Sequence, residues 1–379
     1  MRGLPNMSTR DQIQLNVLFV PGTVHRLAPF ILSILESSPA CSLRLVSNAC
    51  HVDEDRILND VACTDQRLSF VRIGTQRPLS HGSALTMLQK QETSPVFAFM
   101  DSDIFATGDF LQELNWSPSR SSALFSCPPV WSNPELEQLP EGFGVLSGVY
   151  NQLHDGFCVG SSYFAMYDNN LLTQCMKQTG VSFEYSRWTQ LSEQLRRELK
   201  QAGKQLLIYD TGKLLNILLQ LRCGADLGFR RTGTLEHIGG ISGCVLKQPR
   251  NLVRMVLGSA SSMMPRAGRV LCWRAGMHYG WRDLACEDEI RRIEAENQLK
   301  RHVYRYFLKL LRSFTGTTDP QLEFTDENST LVSEVRRVAA RLNHSYPHWH
   351  QCLGHRMSGF ENLNHADAES AVPACLKVA

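Results

Sequence analysis

The chain has 379 residues, of which 43% are hydrophobic and 20% are charged, a balance that is typical of a globular protein. Its length allows one large domain with an appendage, or two smaller domains, with a sizeable buried core in either case. Lysine and arginine together number 39, against 37 for aspartate and glutamate. This near-equality excludes a positive field over the whole protein of the kind that holds nucleic acid or an anionic membrane.

Twelve cysteines are scattered between Cys41 and Cys375 without a Cys-x-x-Cys pair. Such scatter indicates reduced thiols in a cytosolic protein rather than a disulfide framework. The first sixteen residues lack the apolar stretch of a secretory signal, and no run of about 18 apolar residues occurs. We therefore expect a cytoplasmic protein.

Short apolar runs alternate with longer amphipathic segments through the first hundred residues. The apolar runs are LNVLFV (15–20), LRLVSN (43–48), LSFVRI (68–73) and VFAFM (96–100). Helix-length segments separate them, which predicts right-handed βαβ units and an α/β fold with a mostly parallel sheet flanked by helices. Ligands of such sheets bind beyond the carboxyl ends of the strands.

The pattern loosens after Trp116 into loop-like segments rich in serine and proline, and order returns further along the chain. The later predicted elements are a strand and helix within 155–168, a polar helix at 186–203, a strand at 205–210 and a charged helix at about 283–314. This gives four regions: an N-terminal tail (1–14), a catalytic domain (15–245), a C-terminal helical extension (246–330) and a polar tail (331–379). We expect the polar tail to be dispensable for chemistry, because its sequence shows few periodic signals.

The run SPVFAFMDSDIFATGDF (94–110) ends an apolar strand at two aspartates that one serine separates. Because side chains alternate across a strand, Asp101 and Asp103 point the same way, with Ser102 opposite them. Two carboxylates on one side suit Mg²⁺ or Mn²⁺ bridging a diphosphate. The alternative is a strand-end aspartate next to an aspartate that caps a loop.

An Asp-x-Asp after an apolar strand, preceded by three βα units and by HGSAL (81–85) at the start of the previous helix, resembles the GT-A glycosyltransferases of the family 2 type. The resemblance covers about residues 15–240. It implies a GT-A fold in which Asp101 and Asp103 hold a divalent cation on the diphosphate of a nucleotide sugar.

By position, the resemblance also assigns residues to the donor site. These residues are Pro21, Gly22 and Thr23 after the first strand, Asn48 after the second, His81, and Ser102 within the Asp-x-Asp. Asn48 departs from the family pattern, which usually has an aspartate there for the base or ribose. An Asx turn is an equal alternative for Asn48.

LIYDTGKLL (207–215) resembles the later motif of the family, in which an acidic residue acts as general base on the acceptor. Asp210 matches that residue, and Tyr209 replaces its frequent acidic neighbour. Asp210 is also suited to capping a helix that begins at Thr211, and the two roles are compatible.

GTLEHIGGIS (233–242) places a histidine beside two glycines. In many metal-dependent GT-A enzymes a histidine from this region is the third protein ligand, so the resemblance assigns that role to His237. Gly239 and Gly240 would allow close approach of the backbone to a phosphate. The alternative is a structural histidine.

Two further segments have less specific patterns. The tail HSYPHWHQCLGH (344–355) contains four histidines and Cys352, which zinc can use as ligands, but its spacing fits no known finger and favours a solvated tail. The segment 299–314 is a basic amphipathic helix that either docks on the catalytic domain, the favoured interpretation, or lies on an anionic membrane.

Together these patterns predict a metal-dependent glycosyltransferase that moves a sugar from a UDP- or GDP-sugar to an unknown acceptor, with inversion implied by the resemblance alone. A sugar nucleotidyltransferase and a non-catalytic sugar-nucleotide binding module are the alternatives. A haloacid-dehalogenase-like phosphatase is disfavoured because Phe105 stands where its motif needs Thr or Val. No nucleic-acid partner is expected, and the predicted location is cytoplasmic, with a peripheral position at the inner membrane face as a variant.

Overall fold

A computed structural model describes residues 13–74, 76–132, 137–139, 144–146, 148–246, 264–265, 267–268, 287–316, 323–324 and 329–364. Most of the predicted N-terminal tail and much of the predicted extension (246–330) therefore lie outside the described residues, as does the tail beyond 364.

The strands are β1 (Ile13–Phe19), β2 (Cys41–Asn48), β3 (Leu68–Ile73), β4 (Val96–Asp101), β5 (Ile104–Ala106), β6 (Ala123–Phe125), β7 (Val145–Leu146), β8 (Phe164–Asp168), β9 (Ser186–Arg187), β10 (Ile208–Tyr209), β11 (Leu227–Phe229) and β12 (Leu235–His237). The helices are α1 (Val24–Leu27), α2 (Pro29–Ser37), α3 (Val52–Ala62), α4 (His81–Gln91), α5 (Phe110–Leu114), α6 (Asn169–Thr179), α7 (Glu193–Gln201), α8 (Lys213–Cys223), α9 (Ile241–Val245), α10 (Glu287–Phe314) and α11 (Ser329–Asn364).

Seven strands form the central sheet in the order β11-β6-β8-β4-β1-β2-β3. The neighbours of β1 and β2 are parallel, as are β6 and β11, whereas β8 runs antiparallel to both β4 and β6. Two apolar clusters cover the two faces, one built with α2, α10 and α11 and the other with α4, α6 and α8. The prediction of a mostly parallel sheet flanked by helices, with helical structure at the C-terminal end, is confirmed.

A small antiparallel pair next to the main sheet brings distant segments together. β12 pairs with β5 so that His237 lies opposite Ile104 and Leu235 opposite Ala106. Because β5 begins directly after Asp103, this pairing carries residue 237 to the end of β4.

The C-terminal helices complete the first apolar cluster. In α10, Val303, Phe307 and Leu311 are completely buried, so the apolar side of the basic amphipathic helix docks on the protein, as favoured from the sequence. None of the described helices combines the length and the apolar character needed to cross a membrane.

The description of residues 331–379 as a polar, aperiodic tail was wrong for the part that the structure describes. Residues 329–364 form α11, and Val335, Val338 and Leu342 on it are completely buried. Glu334 and Arg336 lie on its exposed side, and Arg337 and Arg341 bind Glu236 of β12; these charged residues lower the mean hydropathy and mask the apolar stripe.

Candidate metal and acceptor site

Asp101 and Asp103 lie at the carboxyl end of β4, where backbone hydrogen bonds fix both residues. The amide of Asp101 donates to the Tyr163 carbonyl at 2.8 Å. The carboxylate of Asp103 accepts from the Ile241 amide at 3.2 Å, and its carbonyl accepts from the Ile238 amide at 3.1 Å. One oxygen of Asp103 is therefore held by α9, and the other faces Asp101 and His237.

His237 turns its Nε2 atom towards these two carboxylates. Its Nδ1 lies 2.9 Å from the Cys127 carbonyl, an acceptor, so Nδ1 carries the proton and the lone pair is on Nε2. Nε2 lies 3.2 Å from Asp103 Oδ1 and 3.7 Å from Asp101 Oδ2. This atom is buried and has no hydrogen-bond partner among the described residues. A buried lone pair without a donor is costly unless a cation or a proton meets it.

The three side chains offer one ligand atom each within 4.8 Å of one another, and within the described part of the chain no other such group of three occurs. Burial and the neighbouring Asp103 raise the pKa of Asp101 to about 8, against the opposite effect of His237. Burial lowers the pKa of His237, but Asp103 and Asp101 outweigh it and the net pKa is raised. Burial makes the largest contribution to the raised pKa of Asp101, and the two carboxylates around His237 raise the pKa of that ring; a bound cation would favour the ionised carboxylates in both places.

Asp210 lies near this triad. It follows β10, but α8 begins only at Lys213 with Gly212 at its N-cap, so the alternative in which Asp210 caps a helix starting at Thr211 is not what the structure has. A β-carbon placed on Gly148 would lie 3.3 Å from Asp210 Oδ2 and 2.9 Å from the Tyr163 hydroxyl. The Tyr163 ring in turn lies 4.8 Å from the His237 ring. Asp210 and Tyr163 thus both lie next to Gly148, and Tyr163 contacts His237, one of the three candidate ligands.

His81 also reaches the triad. Its Nε2 lies 3.7 Å from Asp101 Oδ1. Burial lowers the pKa of His81 to about 4, although Asp210 acts to raise it. The ring is therefore neutral at pH 7 and offers one donor and one acceptor.

The loop after β1 is not a free phosphate cradle, because Glu54 occupies it. The carboxylate of Glu54 accepts from the amides of Gly22 at 3.0 Å, Val24 at 3.1 Å and His51 at 3.2 Å. Thr23 donates its hydroxyl to the Val20 carbonyl. Sequence reasoning missed Glu54, whose signal was an acidic residue in the first turn of α3.

The side chain of Asn48 also has its hydrogen-bond partners within the fold. Its Nδ2 donates to the Leu79 carbonyl at 3.0 Å, and its Oδ1 accepts from the Leu79 amide at 2.8 Å. This pairing crosslinks the end of β2 to the loop before α4, and it differs from a local Asx turn. Ser102 lies in the turn between β4 and β5 rather than in a strand, and it is buried next to apolar residues of α2.

The two glycines after His237 make room for protein rather than for open space. A β-carbon on Gly239 would lie 2.5 Å from Pro129, and one on Gly240 would lie 2.3 Å from the Tyr304 ring of α10. Both have positive φ, 76° and 83°, which also favours glycine. Tyr304 therefore lies against the loop that follows His237.

The histidine-rich segment of α11 does not gather a metal site. His348 and Cys352 are in contact, with 3.6 Å between Nε2 and Sγ, but no third ligand joins them among the described side chains.

No protein-family model matches the chain, and no curated protein matches it. Among solved structures, the chain is similar to the mannosyltransferase PcManGT from Pyrobaculum calidifontis in complex with GDP-Man and Mn²⁺, at 9% identity and a TM-score of 0.39, covering 94% of this chain and 88% of that one. It is similar to residues 1–349 of S. aureus TarS at 12% identity and a TM-score of 0.37, covering 94% and 92%. For the galactosyltransferase LgtC in complex with donor and acceptor sugar analogues the values are 12% and 0.35, covering 57% and 73%. Identities and TM-scores this low leave the function of this chain to be inferred from its own residues.

Proposed function

We propose that this chain is a metal-dependent glycosyltransferase that moves a sugar from a nucleoside diphosphate sugar to an acceptor. The observation that carries the proposal is the buried Nε2 atom of His237, which has no hydrogen-bond partner among the described residues and faces two carboxylates. A cation bound between these groups would stabilise the two carboxylates and satisfy the Nε2 lone pair, whereas without a cation that buried lone pair has no partner among the described residues.

The chemistry of the donor set supports Mn²⁺, with Mg²⁺ as the alternative. Two carboxylates and one imidazole are ligands that Mn²⁺ accepts, whereas a soft-metal site would use thiolates. Asp101, Asp103 and His237 would hold the ion. When bound, such a cation stabilises the negative charge that develops on a departing diphosphate.

Asp210 is our proposed general base. Its carboxylate and the Tyr163 hydroxyl both lie within 3.3 Å of the position that a β-carbon on Gly148 would take, and Asp210 is not one of the three proposed metal ligands. In that place it would take the proton from an acceptor hydroxyl as that oxygen attacks the sugar. A base that acts directly on the acceptor fits a single displacement, and we therefore propose inversion.

The donor pocket is proposed to lie between β1, β2 and His81. The neutral ring of His81 next to Asp101 would give the donor one hydrogen bond. Pro21 and Gly22 would contribute their outer surface, since the amide of Gly22 already donates to Glu54, whereas Thr23 is completely buried and would act only by shaping the loop. Asn48 would need to release Leu79 before it could pair with a base, so we propose no base recognition by Asn48.

Two alternatives are disfavoured by specific contacts. A nucleotidyltransferase needs free backbone amides after its first strand to cradle phosphates, and here the amides of Gly22 and Val24 are bound by Glu54. A phosphatase of the haloacid-dehalogenase type would need Thr or Val at position 105, where Phe105 is completely buried.

Calorimetric titration with Mn²⁺ and then with UDP, GDP and dTDP tests the proposal. Asp103→Asn and His237→Ala should lose Mn²⁺ binding, and the nucleotide should bind the wild type only in the presence of the ion. Asp210→Asn should keep both affinities and lose turnover by about 10²-fold or more. The exposed Asp226 gives the control Asp226→Asn, which should behave as the wild type.

The same titrations separate the remaining hypotheses. Nucleotide binding that does not change when the ion is chelated would contradict the metal role. A wild type that binds Mn²⁺ and nucleotide sugar but never hydrolyses the donor would indicate a binding module. The nucleotide with the lowest Kd identifies the donor class.

A further inference from the structure

Two arginines of α11 hold the residue that precedes the metal ligand. Arg337 donates to both carboxylate oxygens of Glu236, through Nη1 and through Nη2 at 3.0 Å. Arg341 donates to the same carboxylate through Nη1. The side chain of Glu236 is only 8% exposed, whereas those of the two arginines are 40% and 38% exposed.

Glu236 and His237 occupy consecutive positions of β12 and therefore face opposite sides. Glu236 faces α11, and His237 faces Asp101 and Asp103. β12 has three residues and pairs with β5 in a two-stranded sheet, and the His237 carbonyl also accepts from the Val130 amide at 2.8 Å. Few backbone hydrogen bonds thus hold β12, and a pair of this size is marginal without other contacts.

Arg341 links the two strands of this small sheet. Besides binding Glu236 on β12, it donates to the hydroxyl of Thr107 at 3.3 Å, directly after β5. β5 begins after Asp103 and pairs with β12, so the guanidinium group of Arg341 bridges the two strands whose ends carry Asp103 and His237, and Arg337 adds a second contact to Glu236. Separating the nearly buried Glu236 carboxylate from these arginines would cost free energy, because an unpaired charge in a buried place is unfavourable.

We propose that Glu236 is a positioning residue: through Arg337 and Arg341 it fixes β12 against β5 and so sets the separation of His237 from Asp103. This inference rests on the proposed cation site. It makes α11, which lies far from His237 in the sequence, a support of the metal centre.

Mn²⁺ titration of the full chain tests the inference without a known acceptor. Glu236→Gln should weaken Mn²⁺ binding about 10-fold or more. Residues that orient metal ligands without touching the ion affect metal affinity on that scale. Arg341→Gln should weaken it less, because Arg337 stays on the carboxylate. In the double variant Glu236→Gln/Arg337→Gln the loss should be smaller than the sum of the single losses, because the two residues act through one contact.

Glu334 provides the matched control. It accepts from the same Arg337 at 2.8 Å, but it lies on α11 itself and its side chain is 49% exposed. Glu334→Gln should leave the Mn²⁺ affinity unchanged. Glu236→Asp, which keeps the charge, should recover part of the affinity that Glu236→Gln loses.

The outcomes separate this inference from the proposed function. A wild type that does not bind Mn²⁺ overturns the proposed cation site. A wild type that binds Mn²⁺, with Glu236→Gln and Arg341→Gln equal to it, overturns the positioning role even if both variants melt at lower temperature. If Glu236→Gln fails to fold, Arg341→Gln decides, and its unchanged affinity counts against the inference.

Discussion

The ring of Tyr163 lies against the ring of His237, with 4.8 Å between the centroids and 59° between the planes. The backbone carbonyl of Tyr163 also accepts a hydrogen bond from the Asp101 amide, with 2.8 Å between the oxygen and the nitrogen. One residue thus contacts two of the three proposed metal ligands, and its hydroxyl lies on the Asp210 side of the site.

Two substitutions of Tyr163 distinguish the role of its ring from the role of its hydroxyl group. Burial, then Asp210, raises the pKa of Tyr163 well above its usual value, so the hydroxyl is a neutral donor. Tyr163→Phe should keep the Mn²⁺ affinity and lower donor turnover about 10-fold, because only the hydroxyl is lost. Tyr163→Ala should also weaken Mn²⁺ binding, because the His237 ring loses its support. Calorimetry and a donor hydrolysis assay measure the two effects, and Tyr185→Phe, at an exposed tyrosine, is the control. A Phe variant that loses Mn²⁺ affinity would contradict this division.

The buried amine of Lys213 should make stability depend on pH. Burial lowers the pKa of Lys213 from 10.5 to about 8, against a raising effect of Asp210. Between these two values the unfolded chain binds more protons than the folded one, so the free energy of unfolding should rise with pH from about 8 to 10.5. The full difference corresponds to about 3 kcal/mol.

Urea unfolding at about pH 7.5 and about pH 10, on either side of most of this rise, measures the effect. The rise should disappear in Lys213→Met, which keeps the apolar stem and removes the amine, and it should persist in Lys177→Met, at an exposed position. Equal pH dependence in the wild type and in Lys213→Met would show that the amine is charged in the folded protein.

A methyl group at Gly240 should displace α10. The β-carbon would meet three atoms of the Tyr304 ring at 2.3 to 2.6 Å, and the φ of 83° adds backbone strain. We expect Gly240→Ala to lower the free energy of unfolding by about 2 to 4 kcal/mol. Gly243→Ala is the matched control, since a β-carbon there meets nothing within 4 Å and the residue is helical. Thermal unfolding compares the two, and equal melting temperatures would be evidence against the close contact with Tyr304.

The inner face of α11 should matter for stability. Leu342 is completely buried in the first apolar cluster, whereas the next residue, Asn343, is exposed. Leu342→Ala should cost about 2 to 5 kcal/mol, and Asn343→Ala should change the free energy of unfolding by less than about 0.5 kcal/mol. Chemical denaturation checks both values. If Leu342→Ala is as stable as the wild type, α11 does not pack as the structure describes.

The sequence pattern alone was sufficient to predict the elements that local order controls. Alternating apolar runs indicated β1 to β4 and the helices between them, and their carboxyl ends located Asp101 and Asp103. These inferences succeed because buried parallel strands need continuous apolar runs, and the polarity change at their ends is visible in one dimension.

Pairing over long distances decided the rest. His237 reaches Asp103 only because β12 pairs with β5. The Nε2 lone pair of His237 faces the carboxylates only because the Cys127 carbonyl accepts a hydrogen bond from Nδ1. No periodicity encodes such contacts, since they depend on which strand edges remain free after the main sheet has formed.

The sequence also did not show which polar groups would hydrogen-bond to each other within the fold. Asn48 and the amide of Gly22 were predicted to face a donor, but Leu79 and Glu54 bind them within the fold. The sequence by itself determined β1 to β4, the helices between them and the acidic end of β4. Only the tertiary structure decided which polar atoms stay free for a ligand, because most buried donors and acceptors pair within the fold, whereas His237 Nε2 has no such partner among the described residues.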